Sequence, residues 1–160
     1  MKAKTFLNRF RLENFKAIQK SGGVKFTPLT VLIGNNGSGK SSLVEGLETY
    51  RSIVIDGLDT AMQRWFGMDH IWSKRVRHNI VGLGLANETY ENPILFSIGG
   101  RTAQGVFRAN MTVNAEAGRN AIFIQEESLE TPGGVELVRD RSGTCLTKKG
   151  DEKEKLRQRF

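Results

Sequence analysis

Thr30-Val31-Leu32-Ile33-Gly34-Asn35-Asn36-Gly37-Ser38-Gly39-Lys40-Ser41-Ser42 is the stretch from which the rest of the chain can be understood. Gly34, Gly39, Lys40 and Ser41 fill the G-x-x-x-x-G-K-[ST] template of a P-loop. Val31, Leu32 and Ile33 run into Gly34 as a short buried strand does, and Leu43, Val44, Leu47, Tyr50 and Val54 then recur at helical spacing. The predicted order is strand, glycine turn, helix. Glycines at 34, 37 and 39 allow positive φ and carry no Cβ, so the loop can curl and expose its N–H groups. Those amides and the helix N-terminus would form a nest for a β-phosphate. Lys40, the candidate catalytic residue, would reach the β- and γ-oxygens, and the Ser41 hydroxyl would hold Mg²⁺. A glycine turn with a chance lysine is the bland alternative, and it does not account for the strand and helix on either side.

The chain has 160 residues, enough for one domain with its own core, and its 38% hydrophobic and 26% charged content is that of a globular protein. No apolar run approaches the length of a membrane span, so no membrane association is expected. Cys145 is the only cysteine, which excludes an intrachain disulfide and fits a cytoplasmic setting with a lone buried thiol. Lysine and arginine number 24 against 17 acids, giving +7. That surplus suits a polyanionic partner, nucleotide or nucleic acid, although a solvated surface can carry as much.

Upstream, Thr5 to Leu12 puts Phe6, Phe10 and Leu12 on one parity and predicts a strand with one buried face. Asn14 to Ile18 follows as a bend, Ser21-Gly22-Gly23 as a turn and Val24 to Phe26 as a short strand. No acid occurs from Asn14 to Val44, while Lys16, Lys20, Lys25 and Lys40 all fall there. The helix beginning at Ser41 is expected to stop at Asp56-Gly57, with a second short helix reaching Gly67. Met68 to Asn79 interleaves Trp72, His70 and His78 with Lys74, Arg75 and Arg77, a mixture suited to nucleic acid or to a surface loop with one anchoring tryptophan. Beyond Pro93 the period becomes two. Ile94 to Ile98, Val106 to Val113, Ala121 to Ile124 and Val135 to Val138 read as strands. Gly99-Gly100, Ala117 to Asn120, Pro132 to Gly134 and Ser142-Gly143 read as turns. Such short connections imply an antiparallel meander. Lys148 to Phe160 is expected to be a charged tail or the start of a helix. The expected fold class is α/β, a P-loop lobe with a mixed sheet followed by an antiparallel β subdomain. Its parts are a P-loop core over 1–56, a helical and irregular insertion over 57–92, the β subdomain over 93–147 and the tail over 148–160.

Leu12-Glu13-Asn14-Phe15-Lys16-Ala17-Ile18, about twenty residues before the Gly34-Asn35-Asn36-Gly37-Ser38-Gly39-Lys40-Ser41 loop, resembles the N-terminal part of ABC-type ATPases of the SMC/RecF branch, including those of the OLD nucleases. Gln125-Glu126-Glu127-Ser128-Leu129 is similar to a strand end of that family's β subdomain. The resemblance implies that Asn36, Gly37, Ser38, Gly39, Lys40, Ser41 and Ser42 wrap the phosphates of Mg-ATP and that Lys16 lies near the nucleotide. It also implies a homodimer through the nucleotide face, with DNA or a nuclease as further partner in DNA repair or anti-phage defence.

The chain departs from that family in lacking an apolar run ending in Asp-Glu. The nearest stretch, Ala121 to Glu126, has Gln125 where a magnesium-supporting aspartate belongs. These residues are therefore expected to be the N-terminal lobe of a longer ATPase, binding ATP without turning it over alone. Two other readings are a small P-loop kinase or nucleotide-dependent transferase, which should continue with parallel βαβ units, and a basic nucleic-acid module with a vestigial loop.

Overall fold

The computed structural model describes residues 6–82, 88–119, 121–141, 145–149 and 152–156, with side chains described as far as 141 except at Val135 and Asp140. Strand β1 (Phe6–Phe15) turns at Lys16 and Ala17 into β2 (Ile18–Lys20), and β3 (Val24–Lys25) follows. Helix α1 (Lys40–Asp56) and the short α2 (Leu58–Arg64) come next, with a single 3-10 turn over Met68–His70. Strands β4 (Ile80–Val81) and β5 (Thr89–Tyr90) form a two-stranded ribbon. The meander is β6 (Ile94–Thr102), β7 (Gly105–Ala115), β8 (Ile122–Glu130) and β9 (Val135–Asp140), extended by β10 (Cys145–Lys149) and β11 (Glu152–Leu156).

These strands form one sheet in the order β11-β10-β9-β8-β7-β6-β1-β2, with β3 also paired to β1. Every ladder among the described residues is antiparallel. Period-two patterning explains the inner face: Phe10 and Leu12 on β1, Ile94, Phe96 and Ile98 on β6, and Met111 and Val113 on β7 are all buried. Helix α1 covers that face at close range because position 46 is glycine. A Cβ there would collide with the Leu12 side chain. Leu43 and Ile53 of α1, Ala61 and Met62 of α2, and Ile71 and Trp72 complete the core.

The bend after β1 is fixed from the side. Asn14 and Lys16 both have positive φ, 58° and 47°. The Asn14 side chain donates to the Pro93 carbonyl at 2.8 Å, the Lys16 amide to Ile71 O at 2.6 Å, and the Ser73 amide to Asn14 O at 3.0 Å.

Three expectations are corrected. Residues 31–33 form no ladder, because no strand lies alongside them among the described residues, and Leu29, Val31 and Ile33 are 81%, 69% and 91% exposed. Gly99-Gly100 is not a turn: β6 runs through it to Thr102. The Phe107 ring covers Gly100 and supplies the packing that a missing side chain forfeits. Residues 145–149 and 152–156 form a hairpin rather than a tail or helix, paired from Cys145 with Leu156 to Lys149 with Glu152. Backbone pairing between those segments prevails over their charge. The surroundings of the Cys145 thiol, the Ser142-Gly143 turn and residues 157–160 lie outside the described residues.

Candidate functional site

The P-loop residues converge at the start of α1. Gly39 occupies the N-cap position at φ 94°, a left-handed conformation suited to glycine, with the Ile18 side chain 3.1 Å from where its Cβ would stand. No side chain caps the helix, and no acid sits in its first turn. The first amides of a helix have no intrahelical acceptor, so they remain available to an anion, favoured further by the helix dipole. Gly37 takes φ 77°, and the Ser38 amide closes a turn onto Asn35 O at 3.2 Å. Asn36, Gly37, Ser38 and Ser41 are exposed, whereas Ser42 is buried.

Lys40 folds back over its own loop. Its Nζ donates to the carbonyls of Gly34 at 2.7 Å and Asn35 at 2.8 Å, and lies 3.3 Å from Ser38 Oγ. The ammonium is thus held by the loop's own carbonyls at the start of α1. A cavity of about 370 Å³ opens beside it, lined among others by Ile18, Lys20, Ser21, Ser38, Gly39 and Lys40, with no carboxylate in its wall. A roomier cavity of about 510 Å³ lies between the Phe66–Asp69 turn and the β7–β8 connection, lined among others by Asp69, Glu116 and Arg119.

Lys16 does not line this cavity. Its Nζ pairs with Glu45 Oε2 at 2.8 Å and sits 3.7 Å above the Trp65 ring. Lys20 lines it instead, a residue that the sequence offered only as one of four lysines in an acid-free stretch. The β1–β2 hairpin, which places Ile18 and Lys20 at alternate positions of β2 and so in the wall of the same cavity, is the information the sequence lacked. Gln125 is engaged elsewhere, its Oε1 accepting from Asn114 Nδ2 at 2.7 Å inside β8. Trp72 is only 6% exposed, with its Nε1 bonded to Asn92 O at 2.7 Å and its ring against His78 and Tyr90, so it is an anchor and not a platform for bases. Among the described residues no group of three His, Cys, Asp or Glu side chains could hold a metal ion. A magnesium ion at Ser41 would thus take its remaining ligands from phosphate and water, as this ion commonly does. Among the described residues no helix is long and apolar enough to cross a membrane.

A family model described as "AAA ATPase domain" matches residues 6–51, and one described as "AAA domain, putative AbiEii toxin, Type IV TA system" matches residues 29–140, more than half of the chain. No curated protein and no solved structure matches it.

Proposed function

Because the chain belongs to the AAA domain family matched over residues 29–140, we propose that it is a Mg-ATP-binding P-loop lobe in which Asn36 to Ser42 wrap the triphosphate. The carrying observation is the uncapped start of α1, with Gly39 at φ 94° and the Lys40 ammonium already inside the loop. In this reading Lys40 leaves the Gly34 and Asn35 carbonyls for the β- and γ-phosphates, Lys20 adds charge from the cavity wall, and Ser41 supports Mg²⁺. Lys16 would join the nucleotide only by leaving Glu45 and Trp65. Phosphoryl transfer in P-loop proteins rests on positioning and charge stabilisation. A cavity without a carboxylate should therefore bind ATP far better than it hydrolyses it.

The finer reading is an ATPase of SMC/RecF/OLD type that pairs with a second copy through the nucleotide face and acts with DNA or a nuclease. Its setting would be DNA repair or anti-phage defence, and a family description that includes a toxin of a toxin–antitoxin system is in keeping with defence. A kinase-like reading is weakened by a sheet whose described ladders are all antiparallel.

Isothermal titration of Mg-ATP into the wild type and Lys40→Ala, with phosphate release followed in parallel, tests the proposal. Binding to the wild type, at least tenfold weaker in the variant and with negligible turnover, is expected from the loss of a charged phosphate contact. Equal affinity in the two proteins would refute it.

A further inference from the structure

The outer face of the sheet, opposite α1, carries a second cluster of cationic side chains. Arg9 and Arg11 of β1, Ser97 and Gly99 of β6, and Arg108 and Asn110 of β7 surround a cavity of about 320 Å³. Strand register explains the convergence. Arg9 pairs with Gly99, which pairs with Arg108; Arg11 pairs with Ser97, which pairs with Asn110. Two adjacent rows across three strands thus place their outward side chains together.

Gly99 separates this cavity from an accident of packing. Gly100 is required, because a Cβ there would strike the Phe107 ring and the Phe6 carbonyl. Gly99 has no such constraint: it has no positive φ, and the nearest atom to its Cβ position is Arg9 Cβ at 3.4 Å, an ordinary contact. Glycine inside a strand weakens it and marks a bulge or the close approach of a ligand or backbone; β1 does carry a register shift between Leu7 and Arg9, opposite Gly100 and Gly99. Here its effect is to leave the floor between Arg9 and Arg108 open.

The charges are available as well. Arg9 has no acidic partner among the described residues, and its guanidinium lies against Gly23, where any Cβ would collide with it. Arg108 pairs with Glu130 at 3.2 Å at exposed positions, where such a pair is worth little and exchanges readily for a ligand, while Arg11 pairs with Glu13, whose side chain is 12% exposed, and contributes the less available charge. Lys25, opposite Arg9 on β3, and Arg101, two residues beyond Gly99 on β6, extend the field. From β3 to β7 it spans three strand spacings, about 14 Å. Glu126 and Glu130 on β8 bound it on the far side.

We propose that the Arg9–Arg11–Arg108 cavity on the outer sheet face binds the phosphodiester backbone of a nucleic acid. This rests on the nucleic-acid partner in the preceding reading but not on ATP binding. Arginine forks match phosphate oxygens in pairs, and Ser97 and Asn110 add neutral hydrogen bonds. The wall contains no large apolar side chain, so the site offers charge and hydrogen bonds without the buried apolar anchor on which protein partners rely.

Fluorescence anisotropy of a labelled single-stranded oligodeoxynucleotide, titrated with the full chain at several salt concentrations, tests this. Arg9→Ala and Arg108→Ala are each expected to weaken binding about fivefold or more, equally across sequences, and to lower the salt slope by about one. Gly99→Val, which keeps every charge but fills the floor, should weaken binding too, while Arg51→Ala on α1, removing the same charge elsewhere, should leave it unchanged. Circular dichroism confirms that each variant is folded. Wild-type binding that all three outer-face variants leave intact would overturn this site and spare the nucleic-acid partner. No binding by the wild type would overturn both. Stronger competition by polyglutamate than by unlabelled DNA would assign the face to an acidic protein segment and overturn the proposal.

Discussion

Lys16 shows how one side chain can serve two elements. Its ammonium is held between Glu45 of α1 and the Trp65 ring after α2, and Trp65 in turn donates from Nε1 to Thr49 Oγ1 at 2.9 Å. A cation over an indole face contributes about 0.5–2 kcal/mol, and a partly exposed ion pair adds little. Lys16→Ala is therefore expected to lower the unfolding free energy by about 1 kcal/mol, read by urea denaturation, while changing ATP affinity less than Lys20→Ala does. A loss of affinity equal to that of Lys40→Ala would instead make Lys16 a phosphate ligand. The family resemblance pointed to Lys16 and left Lys20 as one lysine among four, whereas the structure puts Lys20 in the cavity wall. Only the hairpin that turns one toward Trp65 and the other toward the loop separates them.

At the scale of elements, α1 is anchored by what it lacks. Gly46 lets the helix settle onto Leu12, and its neighbours Leu43 and Ile53 reach the core. Gly46→Val would force the buried Leu12 side chain aside, an overpacking expected to cost about 1–3 kcal/mol and to show as a lower thermal midpoint. A midpoint at or above that of the wild type would mean that the seam is looser than the contact indicates. Helices α1 and α2 and the existence of strands β6 to β9 were legible from period and turn residues, while β6 and β8 run past the ends read for them, to Thr102 and Glu130. The approach to the P-loop was not: Val31-Leu32-Ile33 has a strand's composition, but a strand exists only beside another strand. The β10–β11 hairpin failed to show for the opposite reason, since it pairs through the backbone without apolar alternation in its sequence. Gly99-Gly100 mimics a turn because composition cannot reveal that Phe107 lies across it.

Across the whole molecule, the helical layer and the sheet meet at Tyr50, whose ring tilts against Phe96 at 5.9 Å. Burial, and then the nearby Glu127 carboxylate, raise its pKa above the usual 10.0. The folded state thus keeps the phenol proton at a pH where the unfolded chain has begun to lose it. This contribution is fully present below about pH 10 and is lost as pH rises toward the raised native value. Denaturation midpoints should fall over that alkaline range, and Tyr50→Phe should flatten the decline. An unchanged slope in the variant would place the titration elsewhere. The same view of the whole chain shows that the Ser21-Gly22-Gly23 turn is a party wall. Ser21 borders the P-loop cavity on one side, and Gly23 backs the Arg9 guanidinium on the other. A ligand that shifts this turn from the P-loop side, and Arg9 with it, would alter affinity in the outer cavity, and thermodynamic reciprocity would make the factor the same whichever ligand arrives first.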